Sequence, residues 1–182
     1  MYADIIERLQ QAGVGFQTGL SEAEFDWIER EYQLTFPLPL REFVSEALPV
    51  SGNFYNWRSR SDDNMQHIRD MLNWPLEGIL FDVEHNGFWY KPWGDRPLDI
   101  EEAKRVCIKE FAKVPQLIPV YSHCYMPSVF GVGELPVYSV YQTDIIYYGE
   151  NLRSYFEVEF FGKSQTDIDF SSISNVPFWG DI

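Results

Sequence analysis

The sequence predicts an α+β fold: a single domain with a largely antiparallel, curved sheet and helices packed on one face. Three observations carry this. Helical periodicities come first in the chain, and strand-like runs then mix with helices at irregular spacing. There is no alternating strand–helix rhythm and no internal repeat, which argues against a parallel sheet or a solenoid. No sustained shift of composition divides the 182 residues, a length that builds one core without staples. Within it, 1–162 reads as the domain body. Residues 163–182 read as a polar tail, rich in Ser and Asp, that docks back through Phe178 and Trp179.

Each element has a local reason. Tyr2, Ile5, Ile6 and Leu9 fall on one face of a helix over 1–11, and Gly13 and Gly15 end it. Ser21 and Glu24 have the spacing of a capping box, which opens a second helix with Phe25, Ile28 and Tyr32 as its apolar stripe. Pro37 and Pro39 break that pattern, and Pro39 suits the first turn of a third helix carrying Leu40, Phe43, Val44, Ala47 and Leu48. Residues 53–58 are aromatic and extended. A polar helix is expected over 62–73, then a buried strand over 78–83 with Ile79, Leu80, Phe81 and Val83. Leu98 or Asp99 begins a helix with Ala103, Cys107 and Phe111 inward. Strands follow over 117–121, 137–141 and 144–148, and a last helix over 149–161 turns Leu152, Tyr155, Phe156 and Phe160 to the core.

Charge narrows the partners. Twenty-eight acidic residues oppose 14 Lys and Arg, a formal net charge of −14. Such a surface repels nucleic-acid phosphates and anionic lipid and favours basic partners. No run approaches a membrane span, and no basic and apolar leader precedes Ala3 and Asp4, so the expected location is the cytoplasm, with Cys107 and Cys124 as reduced thiols.

The run from Ser21 to Gly52 resembles the opening of the SUKH superfamily, whose fungal members are the Smi/Knr regulators. The shared pattern is a Ser-capped acidic helix, a link ending in Leu38-Pro39, and a helix with Phe43 near its middle. Trp57, the run Leu117-Ile118-Pro119-Val120, the strand from Pro136 to Tyr141 and the pair Tyr155-Phe156 also fit. The stretch from Trp74 to Tyr90 is similar to a bacterial branch. The link Thr35-Phe36-Pro37 departs from the more usual Gly-containing form, and the tail is longer than the family core. The resemblance implies an α+β fold with a curved sheet and no catalytic site. It implies an immunity protein that binds and neutralises a co-encoded toxin, often a nuclease, or else an interaction hub like the fungal members.

The residues themselves offer little catalytic chemistry. There is no phosphate-binding loop, no dinucleotide fingerprint, no nucleophile elbow and no HExxH helix. His85 lies near Asp82 and Glu84, but His67 and His123 have no ligand-like spacing to it, so neither a metal nor a cofactor is expected. His123-Cys124 lacks a local nucleophile signature. On a strand, Asp82 and Glu84 point to one side, and of Phe88-Trp89-Tyr90 at least one ring must face away from the core. Trp and Tyr are favoured interface anchors. The expected contacts with a basic partner protein are therefore Asp82, Glu84, Trp89, Trp93 and Asp144.

Overall fold

The computed structural model describes residues 1–130 and 134–182. Helix α1 (Ala3–Gln11) is followed by strand β1 (Phe16–Thr18), helices α2 (Glu22–Tyr32) and α3 (Leu38–Glu46), and strand β2 (Ala47–Pro49). A long helix α4 (Asp62–His85) and helix α5 (Ile100–Phe111) come next. Strands β3 (Leu117–Tyr121), β4 (Cys124–Pro127), β5 (Val137–Tyr141) and β6 (Asp144–Gly149) then form an antiparallel meander in chain order, and α6 (Leu152–Phe161) closes the body. The fold is α+β, one domain, with a second small sheet in which β1 pairs with β2.

The capping box of α2 is present: the Ser21 N–H donates to Glu24 at 2.8 Å, and the Ser21 side chain receives the backbone in return. Asp99 caps α5 by accepting from the Glu102 N–H at 2.8 Å. Pro39 sits in the first turn of α3. That helix stops at Glu46, earlier than the apolar spacing suggests, because Ala47 and Leu48 are drawn into β2 opposite Thr18 and Gln17. Gly19 makes this possible: a Cβ there would lie 1.9 Å from the Ser45 carbonyl oxygen. The Leu20 N–H bonds to the Val44 carbonyl at 2.9 Å across the same crossing.

Other sequence expectations change as well. The extended segment 53–58 contributes only one bridge, Phe54 to Tyr121, and Trp57 is buried beside it. Strand β4, unanticipated, fills the place between β3 and β5 through the two-residue turn Ser122-His123. The largest change is α4. The helix over 62–73 and the strand over 78–83 are one continuous 24-residue helix with Pro75 inside it. A proline there removes the N–H that would bond to the carbonyl four residues back, at Met71. The Tyr125 hydroxyl, from β4, donates to that carbonyl at 2.9 Å. Ile79 and Val83, four apart, are then fully buried while Phe81 turns outward.

The meander has apolar cores on both faces. Ile118, Val120, Cys124, Met126 and Val137 pack with α1, α2, α3 and α6. Leu117, Tyr125, Tyr138 and Val140 pack with Ile79 and Val83 of α4, with Ala103 and Cys107 of α5, and with the tail. The expected helical cover on one face thus has a counterpart on the other. The tail docks through Val176, Phe178 and Trp179, all buried, and the Trp179 Nε1–H donates to the Pro115 carbonyl at 2.6 Å. No helix among the described residues is long and apolar enough to cross a membrane.

Tyr125→Phe should lower unfolding free energy by about 1 kcal/mol, since it leaves the half-buried Met71 carbonyl without its donor. In a Pro75→Ala background the restored N–H serves that carbonyl, so the same substitution should be less destabilising. Denaturant unfolding of the four chains measures the non-additivity.

Candidate interaction surface

Helix α4 lies across the turns of two hairpins. One turn is Ser122-His123 between β3 and β4, and the other is Gln142-Thr143 between β5 and β6. The second approach is close. A Cβ at Gly78 would fall 2.7 Å from the Gln142 Cα, so the residue there must be glycine if the two are to pack as they do. One turn further along α4, Asp82 fastens the contact. Its carboxylate accepts from the Thr143 N–H at 2.8 Å, from the Thr143 hydroxyl at 2.6 Å and from the Asn86 amide. Asp82 is only 2% exposed. Burial by itself would raise its pKa, but the hydrogen bonds from Thr143 and Asn86 outweigh it and hold the carboxyl below its ordinary value.

With α4 fixed in this way, its outer face carries large rings. Trp74 is 37% exposed and Phe81 45%, and residues seven apart lie almost above one another on a helix. Tyr141, 59% exposed, stands beside them on the hairpin, 6.4 Å from Trp74 between ring centroids. The Trp74 Nε1–H donates to the Val140 carbonyl at 3.3 Å, which orients the indole. Glu77 and Glu84, also seven apart, run alongside this line of rings, and both are exposed. Trp74 borders two clefts. One of about 190 Å³ is lined by Trp74, Glu77, Gly78, Phe81, Tyr141 and Gln142. The other, of about 370 Å³, includes Tyr55, His67, Ser122 and His123.

The five expected contact residues divide. Asp82 is consumed inside the fold: on a helix it turns toward the hairpin, where the strand reading had placed it level with Glu84. Glu84 stays at the surface and pairs with Lys104 at 3.0 Å. Asp144 is exposed at the start of β6, paired in register with Tyr141. Trp89 and Trp93 belong to a separate aromatic cluster. Trp93 stacks on Phe178 of the tail at 5.6 Å, and Trp89 lies edge-on to Trp93 and donates its Nε1–H to the Gly94 carbonyl at 2.7 Å. Both rings are half-buried, because the tail covers the side of the cluster that the body leaves open.

In comparisons with known proteins, no family model, no curated protein and no solved structure matches the chain. The site is therefore read from its own chemistry. Trp74, Glu77, Phe81 and Tyr141 are the members that sequence reasoning missed. Their signal was the spacing of seven between Trp74 and Phe81, which has meaning only once α4 is known to run through Pro75.

The titratable groups are otherwise occupied. His67 stacks on Tyr55 at 5.6 Å, His85 packs against the Phe81 ring, and His123 Nδ1 lies 3.2 Å from the Ser122 hydroxyl. His67 and His123 share the larger cleft, although their sequence spacing gave no hint of it. No group of three metal-ligating side chains occurs among the described residues. The Cys124 thiol is buried in the core, where burial pushes its pKa up to about 12, while burial raises that of Cys107 to about 11. Neither is a poised nucleophile at neutral pH.

Asp82→Ala should destabilise the fold by about 2–3 kcal/mol, as expected for lost bonds to a buried charge. The pKa of Asp82 is depressed in the folded chain. Its contribution is therefore full above the unfolded carboxyl value near pH 4, roughly, and is lost as pH falls through the folded value. Unfolding titrations of both chains from pH 7 to pH 3 should show their stabilities converging on acidification.

Proposed function

We propose that the chain is an immunity-type binding protein that neutralises a basic toxin by covering it with the outer face of α4 and the Gln142-Thr143 hairpin. The observation that carries this reading is the row of exposed rings, Trp74, Phe81 and Tyr141, on a face fixed by Gly78 and Asp82 and bordered by Glu77, Glu84 and Asp144. Rigid aromatic anchors ringed by charge are what a tight protein interface uses. The resemblance of Ser21–Gly52 to the SUKH opening supports the same class.

The electrostatics support a basic partner. Many of the chain's cations are already spent in internal ion pairs: Arg41 with Glu22, Arg58 with Glu24, Arg153 with Asp4 and Lys163 with Glu150. The excess of 28 acids over 14 bases therefore stands as uncompensated negative charge. Such a field raises the association rate for a basic protein and is screened by salt.

Co-expression with the toxin domain encoded beside it, followed by co-purification and calorimetry, tests the reading. A one-to-one complex is expected whose association rate falls as salt is raised from 50 to 500 mM, as a roughly Debye-screened encounter requires. Trp74→Ala and Tyr141→Ala should each weaken it by about 1–3 kcal/mol with the fold intact by circular dichroism. A chain that neither binds that domain nor protects cells producing it would refute the proposal.

A further inference from the structure

The chain repeats one small arrangement several times. An aromatic ring has a carboxylate close by in sequence, in two cases three or four residues earlier on the same helix, and an arginine from elsewhere in the chain lies over the ring and pairs with the acid. Arg41 sits 3.9 Å from the Phe25 ring centroid and pairs with Glu22 at 2.6 Å; Phe25 and Glu22 are three apart on α2. Arg8 sits 3.8 Å from the Phe161 ring and pairs with Glu157, four residues back on α6. Arg153 over Tyr2 pairs with Asp4, and Arg69 over Tyr32 pairs with Glu31. The physical reason is general: a guanidinium keeps its flat faces for a ring while its edge donates to a carboxylate.

Helix α4 presents a ring and a carboxylate at a similar separation but in the opposite order, Trp74 followed by Glu77, lining one cleft with Phe81 and Tyr141. Here the cation is absent. Among the described residues neither Glu77 nor the Trp74, Phe81 and Tyr141 rings has a Lys or Arg partner, and the cleft lining contains no base. The cleft's volume of about 190 Å³ suits the end of one side chain, not a whole ligand. Gly78 packs against the Gln142 backbone, which closes the floor of the cleft between the helix and the hairpin.

We infer that this cleft is a receptor for the guanidinium of an arginine supplied by another protein. The inference rests on the proposed contact face and deepens it, since it names what the partner must present. The ring would take the guanidinium plane, and Glu77 would accept its N–H groups. Lysine would gain the charge attraction without the planar match.

The site is testable without the partner. N-acetyl-L-arginine amide is titrated into the isotope-labelled chain, and the Trp74 indole N–H resonance, identified by its loss in Trp74→Phe, is followed. A saturable shift is expected, about threefold weaker in affinity for Glu77→Gln, the size of a partly exposed ion pair. N-acetyl-L-lysine amide should bind more weakly and N-acetyl-L-glutamine amide should give no saturable shift. Failure of the arginine amide to saturate, an equal response to the glutamine amide, or binding unchanged in Glu77→Gln overturns the inference. The two readings fail separately. If Trp74→Ala abolishes partner binding but the arginine amide does not bind, the face stands and the arginine assignment falls. If the amide binds but the partner complex is indifferent to Trp74→Ala and Tyr141→Ala, the cleft takes arginine but the assignment to that partner is overturned.

Discussion

A single hydroxyl supports the longest helix of this molecule where its own ladder is broken. Proline in the middle of a helix ordinarily costs about 3 kcal/mol, because a carbonyl loses its donor and the ring crowds the preceding turn. In α4 the carbonyl that Pro75 abandons, at Met71, is taken by the Tyr125 hydroxyl from the neighbouring strand β4. The helix therefore continues for ten more residues, Leu76 to His85, and those residues do everything that follows. Ile79 and Val83 close the second core against Tyr138 and Val140. Gly78 admits the hairpin, Asp82 ties it down, and the remaining face carries Trp74, Glu77 and Phe81 to the surface. Without that one bond the Met71 carbonyl would have no donor, at a cost to the helix that carries the exposed rings on one face.

The surface is accordingly an outcome of the packing beneath it. A buried carboxylate needs bonds to remain charged, and Asp82 obtains them from a turn whose own N–H groups lack partners in the sheet. One constraint answers the other. The result is a helix and a hairpin locked at a fixed separation, so rings on both can act as one rigid patch. Rigid rings lose little entropy when a partner arrives, which makes them effective anchors.

How much of this was legible in the sequence depended on the range of the interaction. Features set by neighbours a few residues apart were readable: the Ser21–Glu24 capping box, Pro39 in the first turn of α3, Asp99 at the head of α5, and the antiparallel α+β character. Features set at long range were not. The apolar run Ile79-Leu80-Phe81 fits a buried strand and a buried helix equally well, and the donor that settles the matter lies fifty residues downstream at Tyr125. Ala47 and Leu48 carry helical spacing but are claimed by β1, which the short run Phe16–Thr18 hardly announces. The candidate site followed the same rule. Its chemistry, acids beside aromatics, was readable from composition, and Glu84 and Asp144 were on or beside it. Its position was not, because Asp82 changes sides when a strand becomes a helix, Trp93 is claimed by Phe178 in the tail, and Trp89 is held by Trp93 and the Gly94 carbonyl.

The docked tail bears on how the domain could fail. Val176, Phe178 and Trp179 complete the core between the sheet and helices α4 and α5. They are held by packing and by the bond from Trp179 to the Pro115 carbonyl, with no strand or long helix around them to anchor the segment. If the tail lifts, Tyr138 and Val140 keep α4 and α5 on one side and lose their cover where Trp179 sits, so local opening of this short segment uncovers an apolar window in the second core. Transient apolar openings of this kind are where chains associate wrongly.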